Sequence, residues 1–113
     1  MASNLVHFEL PVPDTARGQA FYGQLLGWTF DEWQGSGYFM VAGAEPTGAL
    51  MSGDGGHPIV YFATDDIDAS IARLRELGGQ TEGPQEIPTV GRFAHCTDDQ
   101  GTAFGLFEPA PAA

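Results

Sequence analysis

Residues Val6–Trp28 read VHFELPVPDTARGQAFYGQLLGW, and residues Ile59–Gly79 read IVYFATDDIDASIARLRELGG. Each stretch opens with a run of strand length, passes an aspartate able to cap a helix, and reaches a leucine–glycine pair. Asp14 to Gly27 is thirteen residues, and Asp65 to Gly78 is thirteen residues. The first stretch predicts a strand over Leu5–Leu10 and a helix from an Asp14 cap to about Leu26. Ala20, Phe21, Leu25 and Leu26 are spaced to cover one face of that helix. The second predicts a strand over Ile59–Ala63 and a capped helix with Ile67, Ile71, Leu74 and Leu77 on its apolar stripe. Short strand candidates follow the first helix at Trp28–Trp33, Tyr38–Ala42 and Gly48–Ser52. Others follow the second near Thr81, at Val90–Thr97 and at Ala103–Glu108. The chain therefore reads as an α+β protein of two βαβββ modules.

The 113 residues suffice for one domain, and 42% apolar content with 12% aromatics is that of a globular chain. Fifteen acidic residues face four arginines, and lysine is absent, for a net charge of −11. Such a charge repels phosphate backbones and anionic lipid, so neither nucleic acid nor membrane is an expected partner. The plain reading is a solubilising surface, and the sharper one is attraction of a cationic ligand. The lone Cys96 allows no intrachain disulfide and no multi-cysteine zinc site. With neither a signal-peptide pattern nor a membrane-length apolar run, the expected location is the cytoplasm.

The two helix-bearing stretches, with the closing VGRFAHCTDDQGTAFGLFE (Val90–Glu108), resemble the glyoxalase/bleomycin-resistance/extradiol-dioxygenase family, the vicinal oxygen chelate superfamily. The resemblance covers about Leu5 to Glu108 and implies one domain of two βαβββ modules, about 4–52 and 57–108. Their sheets would curve into an open half-barrel around a cleft. It also implies a homodimer.

The same resemblance implies a test for a divalent metal, held by His or Glu from the first and last strands of each module. His7 lies seven residues before Asp14, which is the family's ligand position. The counterpart in the second module is Ile59. The final-strand positions fall at Gly105 and within Gly48–Met51, and none of these offers a suitable donor. His7 is the only matched ligand, so no metal or other cofactor is expected. Metal-dependent activities of the family lose their basis with the ligands.

Strand alternation places Leu5, His7 and Glu9 on one face and Val6, Phe8 and Leu10 on the helix-packed face. The candidate ligand-binding residues are His7, Glu9, Trp33, Tyr38, Met40, Met51, Ile59, Tyr61, His95 and Phe107, an aromatic and apolar set with few polar groups. His7 and Glu9 are also the catalytic candidates. A carboxylate beside an imidazole raises the His pKa, which would make an acid/base couple; the alternative is a purely structural His–Glu pair left from an ancestral site. His95 joins the set if its strand turns it, with Phe93 and Thr97, toward that face. His57 reads as a loop residue. Asp98 or Asp99 reads as the cap of a tight turn closed by Gly101, Ser52–Gly56 as the inter-module linker, and Glu82–Gly91 as an irregular lip.

The expected function is metal-independent binding of a small molecule, cationic or aromatic, for sequestration or self-resistance. The alternative is a glyoxalase-like lyase or isomerase using His7 and Glu9, or a rebuilt divalent-metal site. A cleft lost altogether, with only dimerisation kept, is a third reading.

Overall fold

In the computed structural model, which describes residues 2–54 and 56–111, the chain divides into two compact units. One is His7–Ile59; the other joins Met1–Val6 to Val60–Ala113. The dividing line therefore falls at the start of the second module's first strand, and the N-terminal residues side with the second half. The backbone carbonyl of Asn4 accepts from the Ala63 amide there.

The unit His7–Ile59 contains most of β1 (Leu5–Val12), then α1 (Thr15–Leu26), β2 (Phe30–Glu32), β3 (Tyr38–Val41) and β4 (Thr47–Ser52). β1 runs parallel to β4, with His7 opposite Thr47 and Glu9 opposite Ala49. β3 is antiparallel to β4 and β2 to β3. The Asp14 carboxylate accepts from the Arg17 amide at the N-terminus of α1, and Gly27 closes the helix in the left-handed region at φ 72°.

The packing of α1 departs from its sequence pattern. Phe21, Leu25 and Leu26 are 60%, 65% and 50% exposed, and Ala20 is exposed too. The helix meets its sheet through Gly18, where an added Cβ would lie 3.0 Å from Leu50 and 3.2 Å from Val12. Tyr22 then stacks on Trp28, whose ring also meets Phe8 and Phe30. Small Gly18 lets the backbone approach the sheet, and that approach outweighs the apolar stripe in orienting the helix. β2 is correspondingly shorter than Trp28–Trp33, because Trp28 turns into this aromatic cluster and Gln34 (φ 51°) already belongs to the turn into β3.

The other unit holds most of β5 (Ile59–Ala63), then α2 (Ile67–Glu76), β6 (Gln80–Thr81), β7 (Gln85–Ile87), β8 (Gly91–Thr97) and β9 (Ala103–Pro109). β5 is parallel to β9, β8 is antiparallel to β9, and β6 and β7 both pair with β8. Gln85–Ile87 is thus a strand inside the segment read from sequence as irregular. The core lies between α2 and one face of this sheet: Ile67, Ile71, Leu74, Ala94 and Cys96, with Phe104 and Leu106 against them.

Leu77 leaves the predicted stripe. It is the C-cap residue, outside the helix and 60% exposed. The N-cap is Asp66, one residue after the aspartate that the repeat spacing picks out, and it accepts from the Ala69 amide. Glu108 from β9 accepts the Ile67 amide at 2.9 Å, which ties the first turn of α2 to the sheet. Arg92 forms a two-pronged ion pair with Asp68 in the same turn, at 3.0 Å on each prong. The turn between β8 and β9 is capped by Asp98, which accepts from the Gln100 and Thr102 amides, with Gly101 at φ 87°. Those amides hold the Asp98 carboxyl below the usual range.

Candidate functional site

In the unit His7–Ile59 the parallel β1–β4 pairing and the antiparallel β3–β4 pairing sort side chains onto two faces. Phe8, Leu10, Val12, Gly48 and Leu50 share the face that α1 covers. His7, Glu9, Tyr38, Met40, Thr47, Ala49 and Met51 share the other. On that face the structure joins four polar side chains. His7 Nδ1 lies 2.7 Å from Thr47 Oγ1, and His7 Nε2 lies 2.6 Å from the Tyr38 hydroxyl. The Tyr38 hydroxyl donates to Glu9 Oε2 at 2.7 Å.

Donor counting gives the direction of this chain. An ionised carboxylate only accepts, so the single Tyr38 hydroxyl proton goes to Glu9. Tyr38 oxygen must then accept from His7 Nε2–H. Burial lowers the His7 pKa from its ordinary 6.5, and the attraction of Glu9 only partly opposes this. The imidazole is therefore neutral at pH 7, its Nδ1 is an acceptor, and the Thr47 hydroxyl donates to it. The wire runs Thr47 to His7 to Tyr38 to Glu9.

Two sequence expectations change here. Tyr38 bridges His7 and Glu9, where sequence suggested a direct couple. The His7 pKa falls where the couple predicted a rise, because desolvation is the larger effect. Thr47 is not among the sequence candidates, because the strand pattern starts at Gly48 whereas β4 begins at Thr47. The available signal was parallel pairing, which sets the first residue of β4 opposite His7.

The remaining candidates in this unit surround the cluster or flank it. Met40 lies opposite Ala49, and Met51 opposite both Tyr38 and Pro11. Trp33 stands at the β2–β3 turn, 38% exposed, its amide bonded to the Tyr38 carbonyl. Ile59 is half-buried at the unit's end.

In the second unit Tyr61, His95 and Phe107 fall on the sheet face away from α2, since Ala94, Cys96 and Leu106 point to the helix. His95 Nε2 is 2.9 Å from the Tyr61 hydroxyl, and its ring lies against Phe93. Beside His95 is an open depression of about 390 Å³ bordered by Thr81, Glu82 and Thr97. His57 lies exposed outside any strand.

The residues do not assemble a divalent-metal site. Among the described residues no three His, Cys, Asp or Glu side chains converge as ligands. Both His7 ring nitrogens face hydroxyl partners. At Gly105 a Cβ would lie 2.1 Å from the Tyr61 ring, so that aromatic side chain fills the space a ligand there would need. Cys96 is buried, and burial pushes its thiol pKa up, which removes it as a thiolate ligand.

Residues 4–44 match the family model described as Bleomycin resistance protein-like N-terminal. Over 88% of its length the chain is 40% identical to CFP32 of Mycobacterium tuberculosis, a protein provisionally named a glyoxylase. The chain spans 41% of that relative's length. A hypothetical protein of Bacillus halodurans, BH1468, superposes with a TM-score of 0.76 at 16% identity, covering 100% of this chain and 99% of that one. Methylmalonyl-CoA epimerase from Mycobacterium tuberculosis superposes with a TM-score of 0.66 at 22% identity, covering 98% and 93%. These two likenesses establish the fold. Among the described residues no helix is long and apolar enough to cross a membrane.

Proposed function

The chain belongs to the vicinal oxygen chelate superfamily, and from that premise we propose that it is a cytoplasmic, metal-independent small-molecule-binding member. Its ligand is cationic or aromatic, and its role is sequestration or self-resistance. One observation carries the reading: the Thr47–His7–Tyr38–Glu9 chain sits among Met40, Ala49 and Met51 on a helix-free sheet face. A few fixed polar groups in an apolar, adaptable setting are what a small organic ligand needs. Glu9 and the net charge of −11 favour a cation. Metal independence is supported by the donor set, because the imidazole nitrogens are engaged with hydroxyls and the other ligand positions carry Ile59 and Gly105.

A second reading has a specific observation in its favour. The Tyr38 hydroxyl, held by His7 Nε2 at 2.6 Å, fixes Glu9 Oε2 at 2.7 Å, so Glu9 is a positioned base. That arrangement suits a lyase or isomerase removing a proton beside a carbonyl.

Thermal-shift screening against cationic antibiotics, aromatic metabolites and carbonyl compounds tests both. A ligand at a hundredfold excess over Kd stabilises by about 2.7 kcal/mol, and the shift is expected to disappear in Glu9→Gln. Turnover of a carbonyl compound that is abolished by Glu9→Gln replaces the binding reading with the enzymatic one. Elemental analysis after chelator-free purification is the third arm. A stoichiometric divalent metal lost on His7→Ala would overturn metal independence.

A further inference from the structure

We propose that the second unit carries a ligand site of its own, in which His95 and Glu82 hold a single-ring organic cation with N–H donors. The site begins with a glycine. Tyr61, Gly105 and His95 stand side by side on the adjacent strands β5, β9 and β8, with Gly105 opposite both of the others. A side chain at Gly105 would collide with the Tyr61 ring, so its absence lets that ring lie across β9. The phenol thereby reaches the imidazole two strands away, 2.9 Å from His95 Nε2. Tyr61 is 4% exposed, and a hydroxyl so buried needs a hydrogen-bond partner.

The pairing engages one side of His95. Nε2 is committed to Tyr61, and among the described residues Nδ1 has no hydrogen-bond partner. Phe93 lies against the same ring, with centroids 5.3 Å apart. Tyr61 is therefore a positioning residue: it holds an imidazole whose second nitrogen is left for a ligand. His95 is exposed, and it borders the depression of about 390 Å³ together with Gln80, Glu82, Thr97 and Ala103. That volume lies in the range of small-molecule sites. Thr97 is opposite both Gln80 and Ala103, on the sheet face that Ala94 and Cys96 do not share.

The lining selects the charge of the ligand. Among the described residues that border the depression, Glu82 carries the one full charge, and no arginine is there to meet an anion. An amidinium or ammonium group suits both acceptors, since its N–H donors can bond the Glu82 carboxylate and the Nδ1 lone pair. The bound imidazole is then the Nε2–H tautomer, donating to the Tyr61 oxygen. Methyl groups of Thr97 and Ala103 supply apolar wall for a ring attached to the cation. The sequence pattern placed His95 and Tyr61 in one set with His7 and left Glu82 out. The second unit instead joins them to Glu82, and this site stands independently of the reading given to the β1–β4 face.

Long-range ¹H–¹⁵N correlation of the imidazoles during titration with benzamidine tests the site, with benzyl alcohol and benzoate as the neutral and anionic probes. The expected result is a saturable shift of His95 Nδ1 with benzamidine in the millimolar range, and none with benzoate. Glu82→Gln is expected to weaken that binding by about threefold or more, the worth of an exposed charge contact, with unchanged circular dichroism because Glu82 is exposed. Tyr61→Phe is expected to weaken it as well and to abolish the preference of His95 for the Nε2–H tautomer, which a loss of packing alone would not do. A His95 shift that Glu82→Gln leaves at full strength overturns the proposal, as does equal or tighter binding of benzyl alcohol or benzoate. Benzamidine that moves the His7 resonances and not those of His95 also overturns it, and leaves the reading of the β1–β4 face standing. A His95 shift with His7 unmoved supports the second site by itself.

Discussion

Replacing Tyr38 by phenylalanine removes one oxygen and leaves the ring, which makes it the sharpest probe of the four-residue chain. The lost hydroxyl serves His7 Nε2 at 2.6 Å and Glu9 Oε2 at 2.7 Å. A neutral hydrogen bond is worth about 1 kcal/mol and one to a carboxylate about 2. Partial access of water to the cluster trims the sum to about 2 kcal/mol. For a domain of this size that lowers Tm by roughly 8 °C. Thr47→Val removes one neutral bond and is expected to cost about 1 kcal/mol. The informative quantity is the coupling between the two changes. In the native chain His7 is held as the Nε2–H tautomer because Tyr38 must spend its proton on Glu9. Without Tyr38 that constraint is gone, and His7 can turn its proton toward Thr47. The two substitutions should therefore be non-additive by at least about 0.5 kcal/mol, beyond the usual scatter for independent sites. Urea unfolding of the two single variants and the double variant, checked for a constant m-value, measures this. Long-range ¹H–¹⁵N correlation of the imidazole reports the tautomer directly. Additive costs together with an Nδ1–H imidazole would refute the wiring.

Three other outcomes follow from separate parts of the molecule. Because burial holds His7 below 6.5, the unfolded chain binds its proton first as pH falls. The contribution of neutral His7 is full above about 6.5 and is lost as pH drops from there toward the lower folded-state value, so His7→Gln should flatten the stability–pH curve in that window. Gly105→Ala and Gly48→Ala place a Cβ 2.1 Å from the Tyr61 ring and 2.0 Å from the Phe8 ring. Each should cost about 1–3 kcal/mol by overpacking, and Gly105→Ala alone should shift the His95 imidazole resonances by displacing its Tyr61 partner. Glu108→Ala strips the Ile67 amide of its acceptor and should cost about 1 kcal/mol in urea unfolding, with Glu108→Gln recovering most of it.

Much of the fold was legible because local signals agreed. The apolar runs at Leu5 and Ile59, the aspartate caps and Gly27 place both helices and the first strand of each module within a residue or two. Alternation along β8 separated Ala94 and Cys96 from Phe93 and His95 correctly. Asp98 with Gly101 marked its turn. The failures share one origin. Phe21, Leu25 and Leu26 obey the helical period, yet period says nothing of which side a sheet will take, and Gly18 decided that by close approach. At the candidate site, His7 and Glu9 were visible as neighbours on one strand.

By itself the sequence determined the α+β repeat, the strongly acidic character, and the absence of metal-ligating residue types at the positions matching His7. These depend on residue identity and on spacing along one element. Only the tertiary structure decided that Tyr38 and Thr47 close around His7, that burial outweighs Glu9 in setting its protonation, and that the apolar face of α1 turns outward. Those outcomes depend on register between strands 29 to 40 residues apart and on how near two backbones can come. Neither quantity is encoded in any single stretch of the chain.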